Sequence, residues 1–244
     1  VLEGGHGPGA SDEIMLSRDP QGRVNGLAYY GAQMAVAADD DRALDAIAAE
    51  TRKHRGLRSF VGAKVTVDGL WARIERWHPQ PIIVRETQPL YVVGPAELRG
   101  VDRDPGVRRA RPDDAEIVAD NSARMILGEL GYDPRANRAG FTAAVRRAIA
   151  QGLWWVYVVD GVLRFQLNVG PRSDATAQLQ GVWTPPDQRG EGYAGLALGA
   201  IARQLFTTEA TVSLYVNDFN ASAIALYERL GFRHAGTFAT YLFP

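Results

Sequence analysis

Apolar and polar positions along this chain switch between strand-like and helical spacing. From Val24 to Ala38 the text is apolar and β-leaning (VNGLAYYGAQMAVAA), with Gly31 offering a bend. Asp39 to Asp41 then put acids where a helix starts. Ala43, Leu44, Ile47 and Ala48 recur at helical spacing, which predicts a helix to about His54. A short strand is expected at Ser59 to Val61. A second helix is expected over Val67 to Trp77, with Leu70, Trp71, Ile74 and Trp77 on one face and Pro79 and Pro81 as its stop. Ile82 to Arg85 and Pro89 to Val93 read as two further strands. Gly94 to Gly106 mixes Gly, Pro and charge without an apolar period and is the linker candidate.

Beyond the linker, VRRARPDDAE reads as a strand followed by a Pro-Asp-Asp helix start, with the helix running to about Leu130. Phe141 to Ala150 is helical. Leu153 to Val159 and Val162 to Val169 form a hairpin about Asp160-Gly161. Ala175 to Thr184 is a strand, Gly192 to Phe206 a helix, Thr211 to Val216 a strand and Asn220 to Leu230 a helix. Gly231 is a C-cap signal, and Phe232 to Phe243 ends the chain in strands. The order is mixed α/β.

Composition narrows the function. Of 244 residues, 27 are Lys or Arg and 28 are Asp or Glu, a net charge of −1 that gives no electrostatic reason to expect nucleic acid or an anionic membrane as partner. Hydrophobic residues make up 46%, enough for a packed core. There are 0 cysteines, which excludes disulfides, thiolate metal sites and a cysteine nucleophile. His6, His54, His78 and His234 show no ligand spacing. No apolar run reaches the roughly 18 residues of a membrane span. The Gly-rich start (GGHGPG) reads as a loose leader, with a phosphate loop as the weaker alternative because no helix follows. The first residue is Val1 and neither a basic nor an apolar stretch opens the chain. The expectation is a cytoplasmic protein with native residues upstream.

The most informative segment is Val182 to Ala194 (VWTPPDQRGEGYA). A strand ends at two prolines, an Arg-Gly-rich turn follows, and a long helix begins. Gly190 and Gly192 let a ligand approach the backbone. Successive N–H groups and the helix N-terminus favour a diphosphate there, and Arg189 adds positive charge. Gly190, Gly192 and Gly195 also spell a literal Gly-x-Gly-x-x-Gly. A dinucleotide-dependent oxidoreductase is disfavoured, because the loop before the first glycine is too long and too little chain follows for a doubly wound sheet.

Arg189, Gly192 and Ala194 form an Arg-x-x-Gly-x-Ala run that resembles the pyrophosphate signature of the GNAT superfamily of acetyl-CoA-dependent N-acyltransferases. VSLYVNDFNASAIALYERLGFRHAGTF resembles that superfamily's second motif through Asn217, Asn220, Ala223, Tyr227, Gly231 and Phe232. The resemblance covers about residues 107–244. It implies that Gly181, Val182, Trp183 and Thr184 line acetyl-pantetheine. It puts Gln188, Arg189, Gly190, Glu191, Gly192, Tyr193 and Ala194 around the diphosphate, with Asn217, Asn220 and Ala223 as further cofactor contacts. Tyr227 would be the general acid for the departing thiolate. Many relatives carry a Glu on the strand before the loop, whereas AQLQGVW offers only Gln178 and Gln180. Glu129 is the substitute base, acting through water; the alternative is a solvated helix-end carboxylate.

The first half repeats the order β-α-β-α-β-β and reads as a degenerate copy of the same fold. Its helix start is AADDD where the second half has QRGEGYA. Carboxylates there occupy the donors a diphosphate needs, so this half is not expected to bind CoA. LWARIERWHPQPIIVRETQPLYVV resembles the leader domain that precedes a GNAT domain in many actinobacterial proteins. It would wall the acceptor site or make an interface.

The reading is therefore an α/β (α+β) chain of tandem GNAT-like mixed sheets flanked by helices, the N-terminal copy partial. The domains are 1–94, a linker 95–106, and 107–244. The expected function is transfer of acetyl from acetyl-CoA to an amine, on a small molecule or a protein, by direct attack in a ternary complex. The alternative is a non-catalytic acyl-CoA-binding or regulatory protein. Monomer and homodimer both stay open.

Overall fold

The computed structural model describes residues 13–31, 33–54, 56–100 and 106–244. The Gly-rich start with His6 and the middle of the expected linker lie outside the described residues. The chain divides into two compact units that are not contiguous in sequence. One contains Tyr91–Leu214 and Ala221–His234. The other contains the described residues up to Leu90 together with Tyr215–Asn220 and Ala235–Pro244.

The unit that begins with Glu13 opens on a hairpin of β1 (Glu13–Arg18) and β2 (Val24–Tyr30), registered from Glu13 opposite Tyr30 to Leu16 opposite Leu27. The loose start expected over residues 1–13 meets β1 at Glu13, which is already in the strand; the rest of it lies outside the described residues. Asp19 closes the turn by accepting from the backbone N–H groups of Gln21 and Arg23, each at 2.9 Å. β3 (Met34–Ala38) runs antiparallel to β2 and leads to helix α1 (Asp41–Thr51). The acids before α1 do what their position predicts. The Asp40 carboxylate caps the helix at the Ala43 N–H, 2.8 Å away, and also accepts from the Asn25 amide at 3.0 Å. These bonds, the Ala43 one foremost, hold its pKa below the usual carboxylate range.

β4 (Ser59–Ala63) lies parallel to β3, and α2 (Lys64–Ile74) follows it directly. α2 starts earlier than its apolar face predicts, with Lys64 paired to Asp68 one turn on at 2.7 Å. Ile47 of α1, Val67 and Leu70 of α2, Phe60 of β4 and Met34 of β3 are fully buried together. β5 (Ile83–Val93) is one continuous strand where two were expected. Pro89 does not break it, because the residue lacks only the donor: its carbonyl still accepts from Val216 N–H at 3.2 Å.

The other unit starts with the short β6 (Arg108–Arg109), then α3 (Ala115–Leu130) and α4 (Arg138–Ala150). Before α3, the Asp114 carboxylate accepts from Arg111 N–H at 2.6 Å and from both Arg108 guanidinium nitrogens at 2.6 and 2.9 Å. β7 (Trp154–Val159) and β8 (Val162–Arg172) form the expected hairpin, with Asp160 and Gly161 both at positive φ (51° and 75°) as a type I′ turn demands. β9 (Thr176–Trp183), α5 (Tyr193–Leu205), β10 (Thr211–Tyr215) and α6 (Ala221–Arg229) follow. The last strand, β11 (Arg233–Leu242), pairs through Phe238–Leu242 with β4, antiparallel.

In this unit α3 and α4 bury Val118, Val145 and Ile149 against Trp154 and Val156. The opposite strand positions, Phe165 and Leu167, are 0% exposed, and α5 packs on β8. Both units are thus mixed sheets with helices. Among the described residues, no helix is long and apolar enough to cross a membrane.

Candidate active site

Strand β9 is irregular at the point where the sequence reading places acyl-pantetheine. Gln166 of β8 lies opposite Trp183, yet Asn168 lies opposite Gln180, so β9 carries one extra residue. Gly181 absorbs it at φ +56°, in the left-handed region that glycine enters without strain. On its other edge, β9 pairs in parallel with β10 only from Thr176 to Gln178, against Thr211 to Ser213. The bulged end, Gly181 to Trp183, lies beyond that register. A bulge re-aims backbone groups, and a strand edge without its neighbour is a template for an extended amide chain.

The glycine turn continues from this end. Gly190 (φ +86°) and Gly192 (φ +77°) are both left-handed, and a Cβ at either would meet nothing within 4 Å. Gly192 is the N-cap of α5 without a side-chain cap. The first intrahelical bond is Leu196 N–H to Gly192 O at 3.2 Å, so the amides of Tyr193, Ala194 and Gly195 have no partner inside the helix. Arg189 is held by Thr184 O at 3.2 Å and lies 5.0 Å from the Trp183 ring. Gln188 donates to Asp187 at 2.7 Å and accepts from Arg164. Glu191 is exposed. Two polar atoms at the end of β9, Trp183 Nε1 and Thr184 Oγ1, are buried with no hydrogen-bond partner among the described residues. Orphaned groups of this kind, beside open amides and a guanidinium, fit an amide-rich, diphosphate-bearing ligand such as an acyl-CoA.

α6 presents Tyr227, which is 5% exposed. Its position is fixed by a Schellman cap: Phe232 N–H reaches Tyr227 O, and Gly231 N–H reaches Glu228 O, both at 3.0 Å. The Tyr227 ring meets Phe232 at 5.9 Å and Tyr91 at 6.2 Å between centroids, and Tyr91 O–H donates to Glu228 at 3.0 Å. Burial pushes the Tyr227 phenol well above its ordinary pKa, and the charge of Glu129 adds to the rise. The phenol therefore stays protonated at neutral pH. Glu129 itself is exposed near the end of α3.

Val182 to Ala194, Glu129, Ala223 and Tyr227 thus fall in one unit, whereas Asn217 and Asn220 fall in the other. There Asn217 accepts from the Gln88 amide at 3.0 Å, and Gln88 accepts from Thr240. Gln178 and Gln180 bond to each other at 3.4 Å.

A polar row on β8 escapes the sequence reading. Gln166 is 0% exposed and donates to Ser122 of α3 at 3.0 Å, and among the described residues its Oε1 is without a partner, as is Oδ1 of Asn168. Arg164, two positions earlier, lies 5.4 Å from the Tyr193 ring. The signal was there: Arg164, Gln166 and Asn168 alternate with Leu163, Phe165, Leu167 and Val169, which marks one polar face of a strand between two layers.

Comparison with known proteins gives two family matches. Residues 14–118 match a domain of unknown function (DUF4081), and residues 172–242 match FR47-like protein. Similar solved structures include a GNAT-family acetyltransferase from Colwellia psychrerythraea, at 11% identity and TM-score 0.59, over 96% of this chain and 86% of that one. A GCN5-related N-acetyltransferase from Kribbella flavida is similar at 16% identity and TM-score 0.58, over 96% and 90%. A tandem GNAT protein from the clavulanic acid biosynthesis pathway is similar at 16% identity and TM-score 0.54, over 95% and 83%. At these identities the likeness is one of fold. A search of curated proteins finds no match. The C-terminal region is thus similar to FR47-like proteins and the N-terminal region to the DUF4081 domain, and the fold is similar to that of GNAT structures.

Proposed function

We propose that the chain is an acetyl-CoA-dependent N-acetyltransferase. The observation that carries the reading is the early end of the β9–β10 pairing, with the Gly181 bulge leading into an open, uncapped glycine turn. The thioester supplies the activated acyl group. The free edge of β9 from Gly181 to Thr184 binds the pantetheine amides. The α5 amides, with Gln188 to Ala194 around them and Arg189 at the mouth, hold the diphosphate. Ala223, in the same unit, is a further contact. The acceptor amine loses a proton to Glu129 through water and attacks the carbonyl carbon. The C–S bond breaks, and the leaving sulfur receives a hydrogen bond and then a proton from Tyr227.

A phenol with a raised pKa is a poor acid toward a thiolate in water, whose pKa is about 8.5. In the same dry site the thiolate is raised as well, so the two stay matched. The absence of cysteine removes the commonest covalent acyl carrier and favours direct attack.

A second reading, a non-catalytic acyl-CoA-binding protein, draws on Gln178 and Gln180 standing where relatives carry an acid. Calorimetry with acetyl-CoA, and with NAD as control, tests the site: one-site binding of acetyl-CoA alone is expected, and no binding refutes it. Turnover against an amine panel, read as released thiol, separates the two readings. The chain contributes no thiol background, since it contains 0 cysteines.

A further inference from the structure

The unit that begins with Glu13 contains a cavity of about 530 Å³ that the transfer reaction does not use. That size is within the roughly 300–1,000 Å³ typical of small-molecule sites. It is formed by the end of α1 (Thr51, Arg52, His54), the segment after α2 (Trp77, His78) and Phe243 beyond β11.

Its chemistry is specific in three respects. The walls are aromatic: His78 meets Phe243 at 4.4 Å and Trp77 at 6.0 Å between centroids. The cation is available: the Arg52 guanidinium lies 5.0 Å from the Trp77 ring, and among the described residues no carboxylate is within ion-pair distance of it. Lys53 is engaged with Glu50 at 2.8 Å, and Arg73 with Asp41 and Asp45 at 2.7 and 2.6 Å. A guanidinium stacked on an indole keeps its N–H edge for a planar anion. The third group is an acceptor. His78 Nδ1 lies 3.2 Å from Pro79 O, a carbonyl that only accepts, so the proton is on Nδ1 and Nε2 keeps a lone pair. Burial lowers the His78 pKa and keeps the ring neutral. The second imidazole is committed elsewhere: His54 stacks on Tyr30 at 3.8 Å, with Nε2 3.3 Å from Glu13.

We propose that this cavity is a binding site for a small planar aromatic carboxylate: its carboxylate on Arg52, its ring against Trp77 and Phe243, and a hydroxyl or N–H on the far side donating to His78. One guanidinium matches the two oxygens of a carboxylate, whereas a phosphate ester calls for more cations or backbone amides than the described residues of this cavity offer.

The probe is 4-hydroxybenzoate, titrated into the full chain by calorimetry, with the Trp77 indole N–H followed by NMR. Saturable one-site binding with a shift of that resonance is expected. 4-Hydroxybenzyl alcohol, which lacks the charge, and cyclohexanecarboxylate, which lacks the ring, are each expected to bind at least about tenfold more weakly. Arg52→Gln sits at an exposed helix end, so its melting temperature should not change, while affinity for 4-hydroxybenzoate drops about tenfold or more. No saturable binding overturns the proposal. So does binding that Arg52→Gln leaves intact, or binding of inorganic phosphate as tight as that of the aromatic acid.

Discussion

Gly231→Ala is the substitution that connects the fold most directly to the candidate chemistry. Gly231 is at φ +93°, and a Cβ built there would lie 1.9 Å from Glu97 O and 2.9 Å from Glu97 C. Both obstacles are backbone, so no side chain can rotate away. An alanine in the left-handed region costs about 1–2 kcal/mol. Relief of the clash needs a backbone shift of more than ~1 Å, of a kind that usually costs about 1–3 kcal/mol. The two contributions give a loss of about 2–5 kcal/mol. Urea titration by tryptophan fluorescence reads this as a lower midpoint. Because the Gly231 cap also fixes Tyr227 O through Phe232 N–H, a shift of this size should lower turnover about a hundredfold in the protein that remains folded. Gly128→Ala is the control. It is inside α3, without positive φ and with nothing within 4 Å of its Cβ, and should stabilise by about 0.5–1 kcal/mol. A Gly231→Ala protein within about 0.5 kcal/mol of the parent would refute the reasoning.

Further outcomes follow from the same geometry. Tyr227→Phe keeps the ring contacts with Tyr91 and Phe232, so melting should hold while kcat falls about 10²–10⁴-fold and acetyl-CoA affinity stays level; unchanged kcat would remove the acid role. Arg189→Glu should weaken acetyl-CoA binding by about tenfold or more at low salt, with the gap narrowing as salt is raised; equal affinities would sink the diphosphate assignment. Arg108, through its hydrogen bonds, holds the Asp114 carboxyl below its unfolded pKa, so the stability it contributes is present above pH ~4 and lost as pH falls through the folded value. Asp114→Asn should therefore cost about 1–3 kcal/mol at pH 7, and the difference should vanish in acid; a difference independent of pH argues against the pair.

What the sequence made legible was local. Asp40 at the start of α1, the Asp160–Gly161 hairpin and the Gly190–Gly192 turn each depend on one residue's side chain or backbone freedom, and each is visible in the letters. What it hid depends on partners far along the chain. β1 carries exposed Ile14 and Leu16, so no apolar contrast announces it until β2 is beside it. Pro89 looks like a break until Val216 is seen to need only its carbonyl. The Gly181 bulge exists only as a mismatch of register with β8, which no single strand can declare. Likewise, the polar row on β8 becomes a feature when Ser122 of α3 is brought over Gln166.

The pairing of β4 with β11 also sets the order in which the protein can be made. Ser59 leaves the ribosome early, yet its partner across the ladder is Leu242. At ~5–20 residues per second, the first half waits on the order of ten to forty seconds for the strand that covers its β4 edge. Through that interval β4, with four of its five residues destined for burial, presents one unpaired edge. That stretch of nascent chain is thus a client for chaperones until β11 emerges. Expressing residues 1–94 alone would make that waiting state permanent.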